Sequence, residues 1–85
     1  MLTGLQIRAA RAALGWSAAA LAEKAGVALK TIARLENVDG VPPSRSSTLT
    51  DIQRQLEAAG IEFIGTPEDG PGIRLRRGSK SPRER

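Results

Sequence analysis

Residues 17–37 read SAAALAEKAGVALKTIARLEN, and the spacing within this stretch decides the fold. Counting Ala18 as position one, apolar side chains fall at four, eight, ten, fifteen and eighteen: Leu21, Ala25, Val27, Ile32 and Leu35. A small residue, Ala22, stands at five and Gly26 at nine. Two short helices crossing steeply over a tight turn approach closely where Ala22 lies, so a larger side chain there would push them apart. Gly26 supplies the positive φ that such a turn demands. The apolar positions then lock the pair onto whatever helices flank it. The spacing predicts a helix from Ser17, its N-cap, to just before Gly26, and a second over residues 28–37. Ala28 has no side-chain acceptor, so the second helix starts without a strong cap.

Outward from this unit, both flanks also read as helices. On the N-terminal side, Thr3-Gly4-Leu5-Gln6 has the form of a capping box, and the helix it opens runs to about Leu14, with Gly15 at the left-handed cap position. On the C-terminal side, residues 39–44 (DGVPPS) are a loop by their turn residues. Ser46 or Ser47 is expected to cap a fourth helix reaching about Ala59, with Leu49, Ile52, Leu56 and Ala59 on one apolar stripe. Beyond Gly60 the period changes. Residues 61–64 and 73–76 roughly alternate apolar and charged residues as half-buried strands do, and residues 65–72 (GTPEDGPG) read as a long loop between them. The fold class expected is therefore mainly α: a four-helix bundle with a C-terminal β-hairpin. The domain division is 1–60 for the bundle, 61–77 for the hairpin and 78–85 for a polar, disordered basic tail.

Composition narrows the chemistry. The 85 residues include no Cys and no His, which removes disulfides, thiolate metal sites and the usual neutral-pH general base. Ser17, Ser44, Ser46 and Ser47 have no His partner, so no catalytic constellation, metal site or cofactor is expected. Only two aromatic residues occur, Trp16 and Phe63; Trp16 is expected to plug the core between the first two helices. No apolar run reaches the roughly 20 residues of a membrane span, and the N-terminus lacks the plan of a secretory signal; a cytoplasmic location is expected, nucleoid-associated when DNA is bound. The formal charge is +4, yet its distribution is uneven. Residues 74–85 hold six basic residues and one acid, leaving −1 for residues 1–73. A nucleic-acid partner must therefore be argued from the helix pattern rather than from net charge.

The segments IRAARAALGWS, LAEKAGVALKTIARLEN and SSTLTDIQRQLEAAG resemble the DNA-binding domain of the phage-repressor and Cro family of helix-turn-helix proteins. The resemblance covers residues 5–59. It implies a four-helix Cro/repressor-like bundle that presents its third helix to the major groove of double-stranded DNA, usually as a dimer on a palindromic operator. It also implies an ion pair between Arg11 and Glu36 that locks the bundle. Lys30, Thr31 and Arg34 lie three and four residues apart on one face of the third helix, and are the candidates for base contacts. Arg34 suits bidentate reading of guanine, and Lys30 a guanine or a phosphate. By the resemblance, Ala28 and Leu29 contact thymine methyl groups, while Asn37 and the loop Ser44-Arg45-Ser46 flank the helix on the sugar–phosphate backbone. Ser17 opens the second helix, where free amides favour a phosphate. One departure is clear: the family often carries Gln at the first position of the second helix, and this chain has Ala18.

Two isolated strands are marginal alone, and the apolar residues Ile61, Phe63, Ile73 and Leu75 need cover. They can fold onto their own bundle or pair with a second copy. A homodimer through the hairpin is the expectation, because operator symmetry calls for two-fold symmetry; Glu62 and Arg74 are expected to pair across the strands. The reading is a regulator, most simply a repressor, with no room for a sensor domain. Two alternatives stay open: an antitoxin whose hairpin or tail engages a toxin, and an anti-activator-like interaction module that has lost DNA binding.

Overall fold

The computed structural model describes residues 2–76; the basic tail expected over 78–85 lies outside the described residues. Four helices are followed by two strands: α1 (Gly4–Leu14), α2 (Ala18–Ala25), α3 (Leu29–Glu36), α4 (Ser46–Ala58), β1 (Ile61–Thr66) and β2 (Asp69–Leu75). The local chemistry of the first three helices explains their limits. Thr3 and Gln6 close a reciprocal capping box at the start of α1. Gly15 and Gly26 end α1 and α2 in left-handed conformations, with φ of 70° and 73°. A side chain there would meet the steric penalty that keeps other residues out of that region. Ser17 caps α2 by accepting from the Ala20 amide at 3.0 Å. The α3 start is uncapped by a side chain, since Ala28 stands there.

The start of α4 corrects an expectation. Neither Ser46 nor Ser47 is the cap; Arg45 is, with an extended backbone at φ −69° and ψ 143° and no side-chain hydrogen bond. Ser46 already belongs to the helix, so its hydroxyl lies one residue too late to close the first turn.

The core collects one stripe from each helix. Ile7, Leu21, Ile32, Leu35, Ile52 and Leu56 are fully buried, and Ala10, Ala22, Leu49 and Ile61 join them. Trp16, Ala25 and Val27 pack against its edge. Lys24 Nζ lies 4.9 Å from the centre of the Trp16 ring, close enough for cation–π attraction.

The hairpin is longer and tighter than its composition suggests. Residues 65–72 are not a long loop. Thr66 pairs with Asp69 across a two-residue turn at Pro67 and Glu68, and Ile61, Glu62, Phe63 and Ile64 pair with Leu75, Arg74, Ile73 and Gly72. Gly65 alone faces Gly70 and Pro71 in a bulge, where the register shifts. That irregularity absorbs the turn-forming residues. Gly65 and Gly70 take positive φ there, and Pro71 sits where no ladder amide is required. On the outer face, Glu62 Oε1 accepts from Arg74 Nη1 at 3.3 Å and Arg76 Nε at 2.7 Å. The Arg76 bond foremost holds the Glu62 carboxyl below its ordinary pKa.

The inner face of the hairpin lies against its own bundle, with Phe63, Ile73 and Leu75 left half-buried. Ile61 is buried in the bundle core, and Phe63, Ile73 and Leu75 pack against it. The reason is a polar staple as well as apolar area. Gln6, only 4 % exposed, uses its Oε1 for the Thr3 amide and hydroxyl. Its Nε2 donates to the Ile64 carbonyl at 3.2 Å and the Gly72 carbonyl at 2.9 Å. One side chain thus caps α1 and holds the hairpin to it. Gln6→Glu keeps the capping acceptor but removes both donors to the hairpin. It should lower stability in urea titration by about 2 kcal/mol, the cost of part-buried carbonyls that lose their donors and face a carboxylate.

Candidate nucleic-acid interface

The exposed face of α3 is built by what the helix buries. Ile32, Leu35 and Glu36 point into the protein, which turns Ala28, Leu29, Lys30, Ala33, Arg34 and Asn37 outward, with Thr31 half-buried beside them. Leu29 is 51 % exposed, a large apolar side chain at the very start of a helix whose other large apolar side chains, Ile32 and Leu35, face inward. Ala33 was not among the residues singled out from sequence. It lies one turn after Leu29 and is exposed with it, and the alternation of buried and exposed positions in α3 is the signal that would have found it.

The α1 arginines fix the far end of this helix. Arg11 donates through Nε and Nη2 to the two Glu36 carboxylate oxygens at 2.8 and 2.9 Å, and through Nη1 to the Trp16 carbonyl at 3.0 Å. The hydrogen bond to Glu36 foremost raises the Arg11 pKa above its ordinary value. Arg8 was not singled out from sequence either. It donates through Nη1 to the Glu36 carbonyl and through Nη2 to Asp39 at 3.1 Å. Nearby, the Gly4 amide donates to the Gly40 carbonyl at 2.9 Å. Any Cβ on Gly4 would collide with the Val38 and Leu35 carbonyls. The exit from α3 therefore lies directly on the first turn of α1, where the positive end of a helix meets carbonyl oxygens.

These pairings decide the local electrostatics. Between residues 28 and 48 there are two acids, Glu36 and Asp39, and three bases, Lys30, Arg34 and Arg45. Both acids are engaged by α1 arginines, whereas none of the three bases makes an ion pair among the described residues. Arg34 instead donates through Nη1 to the Pro43 carbonyl at 3.0 Å. The face of α3 and the loop after it carry uncompensated positive charge, although the body as a whole is near neutral.

The residues expected on the phosphate backbone are exposed, apart from Ser44. Asn37 follows α3 directly, Arg45 and Ser46 are exposed at the start of α4, and Ser44 is half-buried before them. Ser17 is exposed with its oxygen engaged as the α2 cap. Helices α3 and α4 both begin without a side-chain cap, so first-turn amides at two helix starts remain for an external acceptor. Among the described residues no group of acidic residues is arranged to hold a metal ion, and no helix is long and apolar enough to cross a membrane.

A family model described as a helix-turn-helix domain matches residues 3–62, which takes in all four helices and the start of β1. A search of curated proteins finds no match.

Proposed function

The chain belongs to the helix-turn-helix domain family, a DNA-binding family, and from that premise we propose that it is a sequence-specific transcriptional regulator, most simply a repressor, acting as a dimer on a palindromic operator. The observation that carries this reading is the charge arrangement of α3. Both acids of the region are held by Arg11 and Arg8, while Lys30 and Arg34 stand exposed on the outward face. That arrangement suits the major groove, where Arg34 and Lys30 meet guanine edges and the exposed Leu29 and Ala28 meet thymine methyl groups. Thr31 is the shorter hydrogen-bonding side chain of the same face. Ser17, Asn37, Ser44, Arg45 and Ser46 position the protein on phosphates and specify nothing themselves.

Dimerisation through the hairpin remains part of the proposal. Ile61 is buried in the bundle, but Phe63, Ile73 and Leu75 are only half-buried, and the second copy would meet their remaining surface together with an open edge of the two-stranded sheet. The unpaired edges of a two-stranded sheet are a ready template for that pairing.

The test is a duplex enriched from a random-sequence pool, titrated at several salt concentrations, with the number of chains per duplex measured by sedimentation. Tight binding by two chains, with affinity falling linearly in log–log salt plots, is the expected result. Arg45→Ala should weaken binding to every sequence alike and reduce the salt slope by about one. Flat salt dependence with weak affinity for all duplexes would remove DNA as the partner.

A further inference from the structure

We propose that the Pro43 main-chain carbonyl is the positioning group for Arg34, holding its guanidinium ready to read a base. This inference rests on the DNA-binding reading above and adds the element that makes Arg34 selective.

Three observations meet at this point. Arg34 is exposed in the last turn of α3 and has no carboxylate partner among the described residues. Its Nη1 nonetheless has a fixed acceptor, the Pro43 carbonyl at 3.0 Å, nine residues along the chain. That acceptor sits on Pro42-Pro43, two successive residues with locked φ, the first of them buried. Each ring locks its own φ, and the ring of Pro43 also restricts Pro42, so the chain leading to this carbonyl has little conformational freedom. The loop is also tied at its other end, where Arg8 grips the Glu36 carbonyl and Asp39.

A guanidinium has five donors in a planar fork. Engaging one Nη1 proton with Pro43 fixes the plane of the group and leaves Nη2 and Nε donors for a second, coplanar acceptor pair. Guanine presents such a pair as O6 and N7. An exposed arginine without this support must lose its rotamer freedom when it binds, which weakens binding; ordering it beforehand removes that loss. Lysine at this position would carry the charge without the fork.

The experiment is a double-mutant cycle on the enriched duplex and on a scrambled one, using Pro43→Gly, Arg34→Ala and the double variant. Pro43 is exposed and its carbonyl survives in glycine, so the substitution frees the loop without removing the acceptor; thermal denaturation checks that the fold is kept. Pro43→Gly should weaken specific binding by about 3- to 10-fold, the range for one immobilised side chain. It should leave scrambled-duplex binding unchanged and have no effect once Arg34 is alanine. Additive effects of the two substitutions would overturn the proposal. So would tighter binding by Pro43→Gly, which would make the carbonyl a competitor for Arg34. If Arg34→Ala itself leaves specific binding untouched, the assignment of Arg34 as a base reader fails, and this inference with it.

Discussion

Glu36→Ala is expected to lower the melting temperature by about 15 °C, the largest stability effect of any single polar substitution proposed for this chain. The Glu36 side chain is 9 % exposed and that of Arg11 is 23 % exposed. Removing the carboxylate leaves the guanidinium with only the Trp16 carbonyl. Stranding a buried charge in this way costs about 3 kcal/mol, toward the low end of the usual range because Arg11 keeps some contact with water. For a domain of this size that is a large part of the total stability. Two further variants separate the causes. Glu36→Gln retains a hydrogen-bond acceptor and should lie between wild type and Glu36→Ala. Arg11→Met combined with Glu36→Leu removes both charges and should recover much of the loss, since replacing a buried pair by apolar side chains is often neutral. A double variant as unstable as Glu36→Ala would show that the pair contributes net attraction beyond avoiding a stranded charge. The same residues set the aim of α3, because Arg8 and Arg11 together hold its final turn.

Arg34→Ala is expected to cost about 1–3 kcal/mol in binding to the preferred duplex, roughly 5- to 150-fold in Kd. The loss should be selective. Discrimination should relax at one base pair per half-site, while affinity for scrambled DNA falls only by the loss of one positive charge near the phosphates. Arg34→Lys restores that charge but not the planar fork, so it should recover non-specific affinity and little of the discrimination. Stability should hardly move, because Arg34 is exposed and its hydrogen bond to Pro43 is at the surface. Fluorescence anisotropy with a panel of single-base variants of the duplex measures both quantities at once. A uniform loss at every base pair would place Arg34 on the phosphate backbone instead.

How far the fold could be read from sequence depended on whether the deciding interaction was local. Gly15 and Gly26 announced their left-handed caps because few other residues tolerate that conformation, and Thr3–Gln6 announced its capping box through a fixed three-residue spacing. The stripe Leu21, Ile32, Leu35, Leu49, Ile52 and Leu56 followed from helical periodicity, and all six are buried. Misreadings arose where composition and geometry diverge. Glycines and prolines in residues 65–72 suggest an open loop, yet the bulge opposite Gly65 lets them continue a hairpin to a two-residue turn. Serines before α4 suggest a cap, yet the chain enters the helix one residue earlier, at Arg45.

The supports of the site were harder to see, since they use main-chain acceptors far along the chain. Nothing in the sequence marks the Ile64 and Gly72 carbonyls as partners of Gln6, 58 and 66 residues away. Nor does it mark the Glu36 carbonyl for Arg8, or the Pro43 carbonyl for Arg34. The polar face of α3 was visible from spacing alone. The resemblance already implied the Arg11–Glu36 pair. What sequence did not show is that Asp39, the other acid beside this face, is engaged by Arg8, and the two pairs together leave a positive face on a nearly neutral body.

The most direct test of the account is a competition titration at about 0.15 M salt, the physiological range. The wild-type chain is bound to the duplex it enriches from a random pool and challenged with a scrambled duplex of the same length and composition. The account predicts that the enriched duplex is preferred by about a thousandfold or more, as specific regulators prefer their sites. Equal affinity for the two duplexes would contradict it, whatever the strength of binding.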